Sequence, residues 1–149
     1  MVQLNSAAAP AGSVLAFDFG KRRIGVAVGE TATGIAHPLA TIAETASRQR
    51  FAAIGALIET WRPVLLIVGV PTRADGTAHA MTASAQRFAR QLRGRFGLPV
   101  ICCDERFTTR AASSALREAG LPSRAHKPVR DQLAAQLILQ AYLEQRRLA

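Results

Sequence analysis

A single carboxylate interrupts the first apolar run of this chain, and that interruption constrains the fold more than any other feature. Residues Ser13 to Phe19 read SVLAFDF and close on Gly20, the pattern of a short strand buried on both faces that delivers Asp18 at its end. A lone buried charge is costly, so Asp18 needs a partner brought from elsewhere; Lys21, Arg22 and Arg23 are the nearest cations. Arg23 to Gly29 (RIGVAVG) follows after a connection of three residues, which suits a β-hairpin. A chain that begins this way has a sheet at its centre.

The rest of the chain alternates. Gly34 to Ile42 reads as a third strand, with Pro38 placing it at an edge or a bulge. Beyond Ser47, the residues Phe51, Ile54, Leu57, Ile58 and Trp61 form the apolar stripe of a helix stopped by Pro63. Val64 to Val68 is a buried strand, followed by Gly69-Val70-Pro71 and the polar loop Thr72 to Thr77. Ala80 to Phe96 returns to helical spacing, with Arg87, Arg90, Arg93 and Arg95 on its polar positions and Gly97 at its end. Leu98 to Cys103 is another buried strand. Thr108 and Thr109 cap a helix that closes at Gly120, Leu121 to Lys127 forms a basic linker, and Pro128 opens a last helix through Leu148. The order β-β-β-α-β-α-β-α-α predicts an α/β fold with a mixed five-stranded sheet flanked by helices.

At 149 residues the chain has the length of one domain, expected over residues 13–149, with the uncharged residues 1–12 as a flexible tail. Nineteen Lys and Arg against ten Asp and Glu give a net charge of +9, which favours a polyanionic partner, nucleic acid first. The excess is concentrated beyond residue 75. Cys102 and Cys103 are adjacent, so they form neither an ordinary bridge nor a metal site; both read as buried thiols. With no disulfide framework and no long apolar run, the expected location is the cytoplasm.

Three acids stand where packing does not call for them: Asp18 at a strand end, Glu105 just past another strand, and Asp131 in the first turn of the last helix. Brought together, they can share divalent cations such as Mg²⁺, the chemistry that cleaves phosphodiesters. Each also has a plainer explanation. The helix dipole favours Asp131, Asp104 and Glu105 can cap backbone amides in a turn, and Asp18 can pair with a neighbouring cation.

Taken in order, the motifs Asp18-Phe19-Gly20 with Arg23-Ile24-Gly25-Val26-Ala27, Val68-Gly69-Val70-Pro71 with Asp75-Gly76, Asp104-Glu105-Arg106-Phe107-Thr108-Thr109, and Asp131-Gln132-Leu133-Ala134-Ala135 resemble the YqgF/RuvX family of bacterial proteins. The likeness runs from about Val14 to Leu143. It implies an RNase H-like fold of the Holliday-junction-resolvase type. It also implies a nuclease acting in 5′-end maturation of pre-16S rRNA, hence in ribosome biogenesis, with Asp18, Glu105 and Asp131 as catalytic and metal-binding acids for Mg²⁺ or Mn²⁺. The middle acid lies on a later strand than in the resolvases proper, so resolvase activity does not follow from the fold alone. The loop after Pro71 lacks the Asn that family members often carry before Asp-Gly.

Lys21, Arg22 and Arg23 adjoin the expected site and are candidates to clamp a phosphate strand. Arg106 either orients Glu105 or touches the scissile phosphate, and Arg124, Lys127 and Arg130, near Asp131, are candidates for the RNA-backbone surface. His37, His79 and His126 share no metal spacing. Few aromatics stand among the cations, which favours backbone or shape recognition over base stacking. The alternatives are a Holliday-junction-type DNA endonuclease, a nucleic-acid-binding or transcription factor without catalysis, and a phosphotransferase of the sugar-kinase or actin-like type. The last needs two such domains around a cleft. The protein is expected to act as a monomer or homodimer, resolvases working as dimers on two-fold junctions.

Overall fold

The computed structural model describes residues 11–71, 80–104 and 123–148. Five strands, β1 (Ser13–Asp18), β2 (Ile24–Glu30), β3 (Ile35–Ile42), β4 (Leu65–Val70) and β5 (Val100–Asp104), form one sheet in the order β3-β2-β1-β4-β5. β1 pairs antiparallel with β2 and parallel with β4, and β4 pairs parallel with β5. The mixed sheet expected from the sequence is present. Its central strands, buried on both faces, carry the continuous apolar runs such strands require. Pro38 lies on the edge strand β3, next to the register shift opposite Val26 and Ala27, where its missing N–H costs the ladder least.

Helices α1 (Ser47–Trp61) and α2 (Thr82–Phe96) cover one face, and α3 (Ser123–Leu148) covers the other. Strand alternation divides the core accordingly. Leu15, Phe17, Leu66 and Val68 pack with Phe51, Ile54, Phe88 and Leu92 on the first face; Val14, Ala16, Leu65 and Ile67 pack with Ala135, Ile138, Leu139 and Leu143 on the second. Each such fully buried Leu or Ile stabilises the fold by about 1.5 to 3 kcal/mol. Phe88 joins the aromatic cluster at 4.8 Å from Phe19 and 6.0 Å from both Phe17 and Phe51, centroid to centroid.

The stripe expected on α1 is only partly used. Phe51 and Ile54 are buried, Leu57 and Ile58 are half-buried, and Trp61 is exposed, whereas Arg50 is buried. Core contact therefore concentrates in the N-terminal half of this helix. Gly97 ends α2 at a φ of 65°, the left-handed conformation that suits glycine.

α3 differs from expectation at its start. It begins at Ser123, so the expected basic linker is helical from Ser123 onward and Pro128 lies inside the helix. At the sixth position of the helix, Pro128 gives up the N–H that would reach back four residues, a cost that a proline in the first turn avoids. Asp131 consequently lies more than two turns into the helix. Its position is not explained by the dipole at a helix start.

Glutamines at four-residue spacing clamp α3 to the sheet edge. Gln132 Nε2 donates to Thr41 Oγ1 at 3.0 Å and Gln136 Nε2 to the Ala36 carbonyl at 3.0 Å. Gln140 accepts from the Ala36 N–H at 2.9 Å and donates to the Gly34 carbonyl at 2.9 Å. The three side chains fix the rotation of the helix and with it the direction of Asp131.

Cys102 and Cys103 are free thiols, half-buried on opposite faces of β5. Burial pushes both pKa values up, that of Cys103 to about 11. Of the expected tail, residues 1–10 lie outside the described residues; Gly12 exchanges hydrogen bonds with Thr31. The expected helix from Thr108 to Gly120 and the loop from Thr72 also lie outside them. Among the described residues no helix is long and apolar enough to cross a membrane.

Candidate active site

Asp18 is the last residue of β1 and half-buried. It continues the row Val14, Ala16, Asp18, which faces α3. Its cross-strand partners are Gly25 on β2 and Gly69 on β4. Neither brings a side chain alongside the carboxylate, so the sheet leaves Asp18 room on both sides.

Gly25 has a second role. A Cβ at this position would stand 2.0 Å from the Asp131 carbonyl oxygen and 2.3 Å from the carbonyl carbon, so only glycine lets α3 approach β2 this closely. Residues directly opposite in an antiparallel pair share a face. Asp18 and the Asp131 segment of α3 thus meet the same end of the same sheet face, with Gly25 between them.

The Asp131 carboxylate accepts a hydrogen bond from Arg23 Nε at 2.7 Å, with side chains 20% and 31% exposed respectively. The cation at the turn thus pairs with an acid 108 residues away rather than with Asp18, the partner its sequence position suggested. Still open to solvent on one side, the pair contributes about 1 kcal/mol or less, but it orients the carboxylate. Arg23 is committed to this contact, whereas Lys21 and Arg22 are exposed on the turn. All three line a cleft of about 360 Å³ together with Phe19, Pro71 and Asp131.

The turn itself is held by Arg50, a residue that no motif singles out. Its guanidinium donates from Nη2 to the carbonyls of Gly20 (2.6 Å) and Lys21 (2.7 Å), and from Nε to the carbonyl of Glu44 (2.7 Å). Burial lowers its pKa from the usual arginine value. The only signal available in the sequence was a cation beside the apolar stripe of α1, which a solvated face explains equally well. Arg50→Met removes all three bonds and is expected to destabilise the protein by about 2 kcal/mol, seen as a lower melting temperature. Unchanged melting would mean that the turn stands without it.

Asp104, at the end of β5, pairs with Val70 and is exposed. Strand alternation puts it on the face of Cys102 and Val68, opposite to Asp18. Glu105 and Arg106 lie outside the described residues. Arg124 and Lys127 lie on the first turns of α3 and their side chains are not among those described; Arg130, next to Asp131, is half-buried. His37 is exposed on β3. Among the described residues no three His, Cys, Asp or Glu side chains gather into a metal-binding group.

A family profile described as RuvX, Holliday junction resolvase, matches residues 12–145. A protein of Nitrosomonas europaea named "Putative pre-16S rRNA nuclease" is 54% identical over 136 residues, which cover 91% of this chain and 92% of that one. A protein of the same name from Methylobacillus flagellatus is 52% identical over 138 residues, covering 93% and 94%. Among solved structures, the fowlpox virus resolvase bound to Holliday junction DNA superposes with a TM-score of 0.59 at 9% identity, covering 89% of this chain and 97% of that one. Thermus thermophilus RuvC in complex with a Holliday junction substrate superposes with a TM-score of 0.50 at 19% identity, covering 90% and 95%. These likenesses establish the resolvase-type, RNase H-like fold. Sequence match across nine-tenths of its length and an Asp18-bearing sheet of that fold lead to one conclusion: the chain belongs to the RuvX family.

Proposed function

We propose that this protein is a metal-dependent nuclease that cleaves phosphodiester bonds in structured RNA, in the 5′-end maturation of precursor 16S rRNA, with Asp18, Glu105 and Asp131 as its acids. The observation that carries the reading is that Asp18 and Asp131 meet one end of one sheet face, with only Gly25 between their backbones. Glu105 enters on the family likeness. The substrate enters on the name of the relatives, and with it a cytoplasmic location.

The donors suit Mg²⁺ or Mn²⁺, since carboxylate oxygens are the hard ligands these cations take and the glycines beside Asp18 leave space for an ion. A cation bound there supplies positive charge to the phosphoryl oxygens as the bond breaks. Arg23 holds the Asp131 carboxylate in one orientation. Lys21 and Arg22, exposed at the mouth of the cleft, bind backbone phosphates. Arg106, Arg124, Lys127 and Arg130 are the further cations assigned to the RNA backbone in this reading.

The test incubates purified protein with Mn²⁺ and, separately, precursor 16S rRNA and a four-way DNA junction, and maps the products. Cleavage near the 5′ end of the rRNA that stops on chelation is expected. Cleavage of the junction alone would replace RNA by branched DNA as the substrate, and no cleavage of either would remove the nuclease reading. Binding in chelator is expected to weaken steeply with salt, by about 0.7 logarithmic units in affinity per logarithmic unit of salt for each phosphate neutralised on a single strand. The double reversal Lys21→Glu, Arg22→Glu should weaken it about tenfold. A flat salt response would remove backbone phosphates as the main contact.

A further inference from the structure

Sharing Phe19 with the cleft is a cavity of about 290 Å³ between α1 and α2, lined by Arg50, Arg87, Ser47 and Ser84 among others. Its lining includes no Asp or Glu. Phe19 borders both hollows, so a strand leaving the acids past the Gly20-Lys21-Arg22 turn meets this cavity next. We infer that the cavity is a second phosphate subsite, taking a backbone phosphate that flanks the one bound at the acids; the inference rests on the nuclease reading above.

Arg50 is the central observation. It is 8% exposed, and its three hydrogen bonds all go to main-chain carbonyls and leave Nη1 unused. Among the described residues no carboxylate pairs with it, the nearby Glu44 side chain included. Its charge is met by three carbonyl dipoles and by the Phe19 ring at 5.4 Å, but by no anion. An entering phosphodiester supplies that anion and meets the two N–H groups of Nη1, the donors that the main chain leaves open. Arg87 supplies a second cation from α2, and the hydroxyls of Ser47 and Ser84 supply neutral donors. Because Arg50 also holds the carbonyls of Gly20 and Lys21, the same side chain ties this subsite to the turn at the cleft.

The experiment measures binding of a twelve-nucleotide single-stranded RNA to the full chain in chelator across a salt series. Arg87→Ala is expected to weaken binding about fivefold and to lower the salt slope by about 0.7, the loss of one phosphate contact. Arg87→Lys restores the slope. Ser84→Asp, which places a carboxylate in the cavity, weakens binding at least as much as Arg87→Ala. Arg90→Ala changes nothing, because Arg90 is exposed on α2 beside a different hollow at Cys102. Thermal unfolding of each variant stays within a degree or two of the parent. Inorganic phosphate is titrated in parallel; if Arg87→Ala affects phosphate binding but not RNA binding, the cavity takes free phosphate and the inferred strand path is wrong. Wild-type RNA binding that Arg87→Ala and Ser84→Asp leave untouched overturns this subsite alone. A wild-type chain that binds no RNA overturns the nuclease reading with it.

Discussion

Asp18→Asn is expected to reduce metal-dependent cleavage by a factor on the order of 10² to 10³ while the protein stays folded. Asparagine matches aspartate in shape, so the substitution keeps the strand end and its packing against Gly25 and Gly69 and removes only the charge that attracts a divalent cation. Asp104→Asn is the matched control. It removes the same charge from a strand end two positions across the sheet, but on the opposite face, and is expected to leave the rate within about twofold. Cleavage rates in Mn²⁺, read beside circular dichroism for folding, decide the matter. An Asp18→Asn protein that cuts at the parental rate removes Asp18 from the site, and an Asp104→Asn protein that loses as much as Asp18→Asn shows that face is not the criterion.

The second large effect concerns a residue with no side chain. Gly25→Ala forces a methyl group to within 2.0 Å of the Asp131 carbonyl oxygen, far inside van der Waals contact. The atom it meets is backbone in the middle of a helix, so no side chain can swing away. Either α3 lifts from β2, breaking the Arg23 contact and the glutamine clamp, or β2 shifts in a sheet strand buried along nearly its whole length. Overpacking of this kind costs about 1 to 3 kcal/mol and occasionally more; the upper end is expected here. Cleavage should fall further than stability does, because the displaced residue is Asp131 itself. Denaturant unfolding and cleavage by the folded fraction separate the two losses. A Gly25→Ala protein of parental stability would mean that α3 does not approach β2 as described.

The same contrast divides what could be read from the chain alone. The strands β1, β2 and β4 were legible because a strand buried on both faces must be apolar at every position, and that is a local property of six or seven consecutive residues. Asp18 was legible for the converse reason: a carboxylate in such a run violates the pattern, and violations concentrate at functional sites. The edge position of Pro38 followed from its missing N–H. These are consequences of covalent chemistry within a few residues of the position concerned.

Tertiary structure decided the rest, because each remaining question was about which distant group stands beside a side chain. Three cations were available to Asp18 in its own turn, yet the helix packing set by Gly25 and the glutamines brought Asp131 to Arg23 instead. Arg50 carries no signal of its own in the sequence; it is buried because the carbonyls of Gly20, Lys21 and Glu44 converge on it, and Trp61, apolar in pattern, is exposed because core contact is made by the other half of α1. Asp104 was separated from Asp18 by strand alternation that only the register of β4 and β5 assigns to a face. Periodicity tells which residues share a face of an element, but the partner that face will meet is chosen by packing between elements, and that choice is not written locally.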